Sequence, residues 1–355
     1  MATRQAVQPF LALNGGSSSL KYAYYADGKP EDARRGSIDH LGSDQAAALA
    51  QVLEAIGKLG DPPKAVGHRL VHGGAELSAP ARVTDEVLEK LKAALPFAPL
   101  HLPAEIAAIE AVRDRFGSFD LFPQVVCFDT YFHRTLPEVA HRYALPQAAV
   151  KSGIRRYGFH GLSYEHVVAT YPLARTGKVV IAHLGSGSSM VAVQDGASVD
   201  TTMGLTPAGG LVMGSRTGDL DPGVVIRLLR EGYSVDALEK VVNSESGLKA
   251  LTGDTSDMKK IVAARATDRR ARLAFEIYAH TARKQLMGMA ASLGGLDALI
   301  FTGGIGEHAP EVRDEVIRGL GFAGIEGSGG QVTVQIVPTD EEERILHHAE
   351  VLLGS

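Results

Sequence analysis

Tryptophan is absent from this 355-residue sequence, and cysteine occurs once, at Cys127. A lone cysteine excludes an intramolecular disulfide, so nothing in the fold rests on oxidised thiols. No apolar run reaches the roughly 18 residues of a membrane span, and none has the flanks of a secretory leader; the expected location is the cytoplasm. An excess of positive charge is missing as well. The 36 Lys and Arg face 41 Asp and Glu, a formal net charge of -5, which creates no general field for nucleic acid or anionic lipid. Three catalytic signatures are also lacking: no Gly-Lys pair is followed by Ser or Thr, and neither G-x-S-x-G nor H-E-x-x-H occurs. What the chain has in quantity is glycine, 40 residues of it, gathered into a few loops.

The length suggests two domains, and 45% hydrophobic residues are enough to bury a core in each. Short apolar runs end in glycine or polar clusters, as buried strands do: "PFLALNG", "AVGHRLVHGG", "PQVVCFDTYF", "KVVIAHLGSG" and "LDALIFTGGIG". Between them lie segments with apolar residues at helical spacing. "DEVLEKLKAAL", "PAEIAAIEAVRDRF" and "GVVIRLLREGY" predict helices, and the long stretch 267–294 predicts a central helix buried between elements. The class is α/β.

Two stretches share one order. "FLALNGGSSSLKYAYYADG" and "VVIAHLGSGSSMVAVQDG" each run from an apolar strand to a polar residue (Asn14, His183), a Gly/Ser loop, a second strand and then Asp-Gly. Such an echo predicts a duplicated unit with a Gly/Ser tip in each copy, facing one another across a cleft. Bare backbone amides and hydroxyls at such tips suit phosphate; by residue type alone they also suit an ordinary hairpin turn. A third loop, "FTGGIGEHA", reads strand, glycines, helix, which favours an anion. It also fits G-x-G-x-x-A with Glu326 downstream, so an NAD-binding dehydrogenase is one alternative and a non-catalytic nucleotide-binding module another.

Taken together and in order, "NGGSSSLK", "GHRLVHGG", "APLHLP", "FDTYFHRTLP", "RRYGFHG", "HLGSGSS", "SVDTTMGLTPAGGLVMGSRTGDLDP", "FTGGIGEH" and "PTDEE" resemble the acetate kinase family, within the actin-like ATPase and sugar-kinase superfamily. The resemblance covers nearly the whole chain. It implies two duplicated ribonuclease-H-like domains around a nucleotide cleft: residues 1–148, closed by a C-terminal helix at 344–355, and residues 149–343, which carry the nucleotide site and a homodimer interface. The implied reaction is reversible, Mg2+-dependent phosphoryl transfer between ATP and acetate, giving acetyl phosphate and ADP by direct in-line attack. Propionate or another short-chain carboxylate is the alternative acceptor.

A carboxylate is already an anionic nucleophile near neutral pH, so such a reaction needs no strong base; it needs cationic and hydrogen-bonding groups that let two anions meet. By resemblance, Arg69 and Arg216 are the two active-site arginines, suited as planar forks to carboxylate and phosphoryl oxygens. His160 and His183 contact the transferring group, and His101 lies near the acceptor. Asp129 and Glu341, with Asn14, offer the hard oxygens that Mg2+ takes, with Ser17 and Ser19 nearby. Val71, Leu100, Phe159 and Pro207 enclose the alkyl end of the carboxylate, and valine at 71 favours acetate. The nucleotide falls to Lys21, His183, Gly185, Ser186, Gly187, Asp257, Met258, Lys259, Gly303, Gly304, Ile305, Gly306 and His308. Read by type alone, Arg69 and Arg216 suit structural ion pairs, Asp129 a helix N-cap, and Glu341 a solvated acidic run.

Four positions depart from the usual family pattern: Ser186, Leu102 and His308 each stand where asparagine is common, and Lys259 where arginine is. Three of them touch the nucleotide side. They bear on which base is read rather than on phosphoryl transfer.

Overall fold

In the computed structural model, residues 8–15, 19–39, 45–58, 60–150, 153–326 and 329–354 are described, so Ser17 lies outside them and of Ser19 only the backbone is within. The described strands form two mixed sheets. The first contains β1 (Phe10–Gly15), β2 (Ser19–Tyr25), β3 (Arg34–Asp39), β4 (Ala65–Leu70), β5 (Ala81–Arg82) and β6 (Gln124–Phe128), in the order β3-β2-β1-β4-β6-β5. The second contains β7 (Lys178–Leu184), β8 (Ser188–Gln194), β9 (Ala197–Thr201), β10 (Ala298–Thr302) and β11 (Thr333–Ile336), in the order β11-β10-β7-β8-β9.

The echo in the sequence is thus an echo in topology. β1-β2-β3 and β7-β8-β9 are antiparallel meanders, and each continues from its first strand into parallel partners, β4 then β6 in one sheet and β10 then β11 in the other. β1 and β10 are buried along nearly their whole length, as expected of strands flanked on both sides and covered on both faces. The second Asp-Gly pair makes the tight turn its residues require: Asp195 and Gly196 both have positive φ, 52° and 80°, between β8 and β9. The first does not, because a 3-10 turn at Pro30–Asp32 lengthens the connection from β2 to β3. These two mixed sheets are also not the parallel, doubly wound sheet that a dinucleotide-binding alternative requires.

The chain divides into two compact units, Met1–Phe132 with Asp340–Ser355, and His133–Thr339. The first recovers its C-terminal segment through the helix Glu341–Leu353, which lies on β1, β4 and β6. Its approach is close enough that a methyl group on Gly67 in β4 would stand 2.3 Å from Ile345. Leu11, Leu13, Tyr22, Val52, Ile56 and Val112 form part of this unit's core.

In the second unit the helix Arg269–Leu293 packs on β7 and β8. Its buried residues, among them Ala271, Ala274, Phe275, Tyr278, Ala282, Leu286 and Met289, recur at spacings of three and four and so define one face. Each of the larger ones contributes about 1.5–3 kcal/mol by leaving water. The opposite face, with Arg272, Leu273, Glu276 and Lys284, is exposed. The sequence-based expectation of a central helix buried between elements is met: besides the sheet, it packs against the helices Gly247–Thr252, Met258–Ala264 and Pro310–Ile317. No helix among the described residues is long and apolar enough to cross a membrane.

Candidate active site

In the first unit the sequence-selected residues gather at the ends of β1 and β4, just after β6, and at the start of the last helix. Arg69 on β4 lies beside Asn14 on β1 in the ladder, and Asn14 is opposite Lys21 on β2. Asp129 directly follows β6, where its N–H donates to the Leu70 carbonyl. Arg69 grips this aspartate with two hydrogen bonds, Nε to Oδ1 at 3.1 Å and Nη2 to Oδ2 at 2.5 Å, and donates from Nη1 to the Gly15 carbonyl at 2.8 Å. The fork assigned to anionic substrate and the carboxylate assigned to metal are thus partners. Three of the five guanidinium N–H groups are used in these contacts.

Asn14 donates its amide to Glu341 Oε2 and Glu342 Oε1, both at 2.8 Å. Glu341 is the first residue of its helix, and its neighbour Asp340 serves as N-cap, accepting from the Glu343 N–H. Burial raises the proton affinity of both Glu341 and Glu342; Asp129 adds to the effect at Glu341 and Glu341 itself at Glu342, while Arg69 and Asn14 oppose it at Glu341. Arg69 is held firmly charged by Asp129, Glu341 and Glu105 in spite of its own burial. One buried guanidinium therefore faces several carboxylates. This is a setting short of positive charge, with hard oxygen donors of the kind Mg2+ takes. Among the described residues no three His, Cys, Asp or Glu side chains cluster as a protein-only metal cage; Mg2+ binds through one or two carboxylates together with phosphate and water.

The sequence reading missed Glu105 and Glu342. Glu105 lies on the helix Leu102–Phe116 in line with Leu102, Ile106, Ile109 and Val112, and all five are buried. A lone carboxylate on an apolar stripe was the signal that would have exposed it. It accepts the Val71 N–H at 3.0 Å, and burial pushes its carboxyl up to about 7 against the pull of Arg69. Val71 is buried, Leu100 is 49% exposed, and Leu102 is in the core. His101 is the residue at the N-cap position of the same helix. His68 is a structural histidine, paired with Gln124 at 2.8 Å and held neutral by burial, its affinity for a proton lowered to about 4.

The second unit brings together the glycine loops. His160 and His183 stack with ring centres 4.2 Å apart and planes at 16°. Two charged imidazoles at that distance would repel by about 4 kcal/mol at an effective dielectric constant near 20, so the stack suits at most one positive charge. Each ring is held at Nδ1 by a serine, Ser189 for His160 and Ser163 for His183, both at 2.8 Å. His160 itself has left-handed backbone geometry, φ 60° and ψ 27°, just before the helix Gly161–Thr170, a conformation that non-glycine residues keep where the surroundings impose it.

The loop 185–187 lies against both rings. A methyl on Gly187 would come within 3.2 Å of His160 Nε2 and 3.6 Å of Arg216 Nη1, and one on Gly185 within 3.7 Å of His183 Nε2 and 4.0 Å of the Gly304 nitrogen. Ser188 fastens this loop: its hydroxyl donates to the Gly185 carbonyl and accepts from the Gly185 N–H, and it meets Tyr278 Oη at 2.9 Å. Tyr278 comes from the buried face of Arg269–Leu293, so the long helix helps to set the loop. Arg216 donates to the Pro207 carbonyl at 3.1 Å. Ser186 accepts the Gly214 N–H through its carbonyl, and a methyl on Gly214 would stand 3.3 Å from Ser256 Cβ. The loops at 185–187, 214–216, 256–259 and 303–306 thus share one neighbourhood.

The nucleotide-side residues differ in what they present. Ser186, Asp257, Lys259, Gly304 and His308 are exposed, Ile305 is half-buried, and Gly303 and Gly306 are buried. Asp257 caps the helix Met258–Ala264 by accepting the Lys259 N–H. Met258 lies in the core. The Gly303 N–H already donates to Glu307 at 2.9 Å, so that amide is engaged within the protein. His308 Nδ1 donates to the Gly304 carbonyl at 3.1 Å. Phe159 and Pro207 are buried, and the Phe159 carbonyl lies 3.0 Å from Nε2 of the buried His133.

Comparison with known proteins places the chain in a family. The model of the Acetokinase family matches residues 44–334. The acetate kinase of Deinococcus radiodurans is 42% identical, over 97% of this chain and 98% of its own length. That of Micrococcus luteus is 41% identical over 94% and 97%. Among solved structures, the acetate kinase of Porphyromonas gingivalis superposes with a TM-score of 0.82 at 33% identity, covering 97% of this chain and 99% of its own. A propionate kinase from Francisella tularensis gives 0.84, also at 33% identity and the same coverage.

Proposed function

As a member of the acetokinase family, this chain is a kinase with a carboxylate as acceptor, and we propose that it transfers the terminal phosphoryl group of ATP to acetate by direct attack of the carboxylate, using the residues described above. The observation that carries the reading is the convergence, in one unit, of three glycine loops on Arg216 and two stacked histidines.

The acceptor brings its own negative oxygen, so no residue has to remove a proton before attack. His160 and His183 serve as hydrogen-bond donors to the transferring group, and Arg216 supplies positive charge as charge spreads over its oxygens. The amides of 186, 187 and 304–306 hold the nucleotide phosphates. In the first unit Arg69, kept in place by Asp129, binds the acceptor carboxylate, and Asp129, Glu341 and Asn14 are the groups that would hold Mg2+. When bound, Mg2+ supplies neutralising charge to the phosphate oxygens. By family resemblance, Val71, Leu100, Phe159 and Pro207 are assigned to the acceptor's alkyl end. The likeness to a propionate kinase favours propionate as the second reading.

A homodimer through the second unit is supported by the helix Pro222–Arg230, which buries none of its residues and leaves Val224, Ile226 and Leu229 between 41 and 49% exposed beside Tyr233 and Val235. A cytoplasmic location belongs to the same proposal and agrees with ATP as co-substrate. The test is a hydroxamate assay for acyl phosphate with ATP, Mg2+ and carboxylates of two to five carbons: product with acetate, and none without Mg2+, is the expected result. Folded protein that forms no acyl phosphate with any of them, from any nucleoside triphosphate, would sink the proposal. Sedimentation velocity tests the dimer.

A further inference from the structure

His160 is held from behind by two hydroxyls that the reading so far has not used. Ser189 Oγ lies 2.8 Å from His160 Nδ1 and 2.5 Å from Tyr164 Oη. Ser189 and Tyr164 are both fully buried. Tyr164 stands one turn beyond His160 on the helix Gly161–Thr170, and its N–H donates to the His160 carbonyl at 3.1 Å. The same helical turn therefore places the imidazole and the phenol that stands behind its serine.

A serine hydroxyl has one hydrogen and two acceptor lone pairs; buried as it is, Ser189 satisfies its hydrogen by donating to one of these two neighbours, and it accepts from the other. The phenol, which ionises near pH 10, is the stronger donor. Tyr164 then donates to Ser189, and Ser189 donates to the imidazole. With Nδ1 as acceptor, a neutral His160 carries its proton on Nε2. That nitrogen faces Gly187, at 3.2 Å from where a methyl there would sit.

We propose that Tyr164 and Ser189 are positioning residues that fix His160 as the neutral Nε2–H tautomer, so that it donates a hydrogen bond at the phosphoryl position and takes no proton from it. The inference rests on the phosphoryl-transfer reading for its role, but the hydrogen-bond chain is measurable without substrate. It suits a reaction whose nucleophile needs no base: a ring with a bare Nε2 would offer a lone pair to an anion.

The experiment has two arms. Long-range nitrogen–proton NMR on protein labelled in its histidine rings, with no nucleotide added, reads the tautomer directly; His160 is expected as Nε2–H in the wild type and as a mixture with Nδ1–H in Tyr164→Phe. In steady-state kinetics Tyr164→Phe and Ser189→Ala are expected to lower kcat about ten- to a hundredfold, less than or equal to the loss of a whole oxyanion donor, with KM for ATP and acetate within about twofold. Ser189→Thr, which keeps the hydroxyl, is expected to recover the Nε2–H signature. A wild-type ring protonated at Nδ1, a tautomer unchanged in Tyr164→Phe, or a kcat in that variant equal to wild type overturns the proposal. Absence of acyl phosphate with wild-type protein overturns the reaction reading instead, and the tautomer measurement still decides the hydrogen-bond chain.

Discussion

Glu105 should make the fold lose stability as the pH rises towards neutrality, and Glu105→Gln should remove that dependence. In the folded chain burial raises its carboxyl from 4.5 to about 7, with Arg69 and the Val71 N–H pulling the other way and Asp129 adding a little. Because the folded state binds this proton more tightly than the unfolded state, the contribution is fully present below about pH 4.5 and is lost as pH climbs through 7. The whole loss is about 3 kcal/mol, of which about 2 kcal/mol falls between pH 5 and pH 7. Glutamine keeps a carbonyl oxygen for the Val71 N–H and has nothing to ionise. Urea unfolding of both proteins, followed by circular dichroism since there is no tryptophan to report, should show the variant gaining on the wild type by about 2 kcal/mol over that interval and levelling off by pH 8. A gap between the two that stays constant from pH 5 to pH 8 would refute the burial argument, because only a group whose proton is held differently in the two states can make the gap move.

Arg216→Ala should lower turnover by on the order of a thousandfold while nucleotide still binds, as expected of an arginine that meets transferring phosphoryl charge; turnover near wild type in a stopped assay removes it from the mechanism. Gly187→Ala places a methyl 3.2 Å from His160 Nε2 and 3.6 Å from Arg216 Nη1, so acyl-phosphate formation should fall with little change in melting temperature, and unchanged kcat/KM means that the phosphoryl group lies elsewhere. Val71→Ala should improve propionate relative to acetate by roughly tenfold, one methylene in an apolar pocket being worth about 1–3 kcal/mol; an unchanged ratio takes Val71 out of the acceptor site. His308 holds its ring through Nδ1 on Gly304 and so offers a base no paired donor and acceptor, for which reason GTP or ITP should support turnover within about tenfold of ATP; a preference for ATP above a hundredfold shows that other groups read the base.

The glycine loops were legible because backbone chemistry dictates composition: a loop that must present bare amides has few residue types open to it, and Gly185, Gly187, Gly303 and Gly304 announce themselves. The five apolar runs were legible as strands for the same kind of reason, and the Asp195-Gly196 turn is the one its dihedrals demand. Pairings between distant residues were not. Nothing local to "GHRLV" says that Arg69 closes on Asp129, 60 residues later, and a run of three glutamates does not say which of them turns inward to Asn14. The long helix was legible as a central element from its length and apolar content, whereas composition did not say which of its residues, Arg272, Glu276 and Lys284 among them, stay in water.

The shared strand order permits a sharper comparison of the two units. β1 corresponds to β7, β2 to β8 and β4 to β10, and the registers align one rung of each ladder: Lys21, Asn14 and Arg69 in the first sheet, Ser189, His183 and Thr302 in the second. The same three places hold an ammonium, an amide and a guanidinium in one copy, and a hydroxyl, an imidazole and a hydroxyl in the other. The charged rung sits among Asp129, Glu105, Glu341 and Glu342, where cations are needed to keep buried carboxylates ionised. The second rung has no ammonium or guanidinium of its own and adjoins the glycine loops, where amides, serines and two stacked rings supply donors beside Arg216. Thr302 is fully buried, with no partner for its hydroxyl among the described residues, so even this small group is not there to pair a charge. A duplicated scaffold has thus been divided by side chain alone. Under the proposed function, one copy would carry the charges that an anionic acceptor and a metal ion call for, and the other would hold a polyphosphate mainly through uncharged donors, with Arg216 beside them.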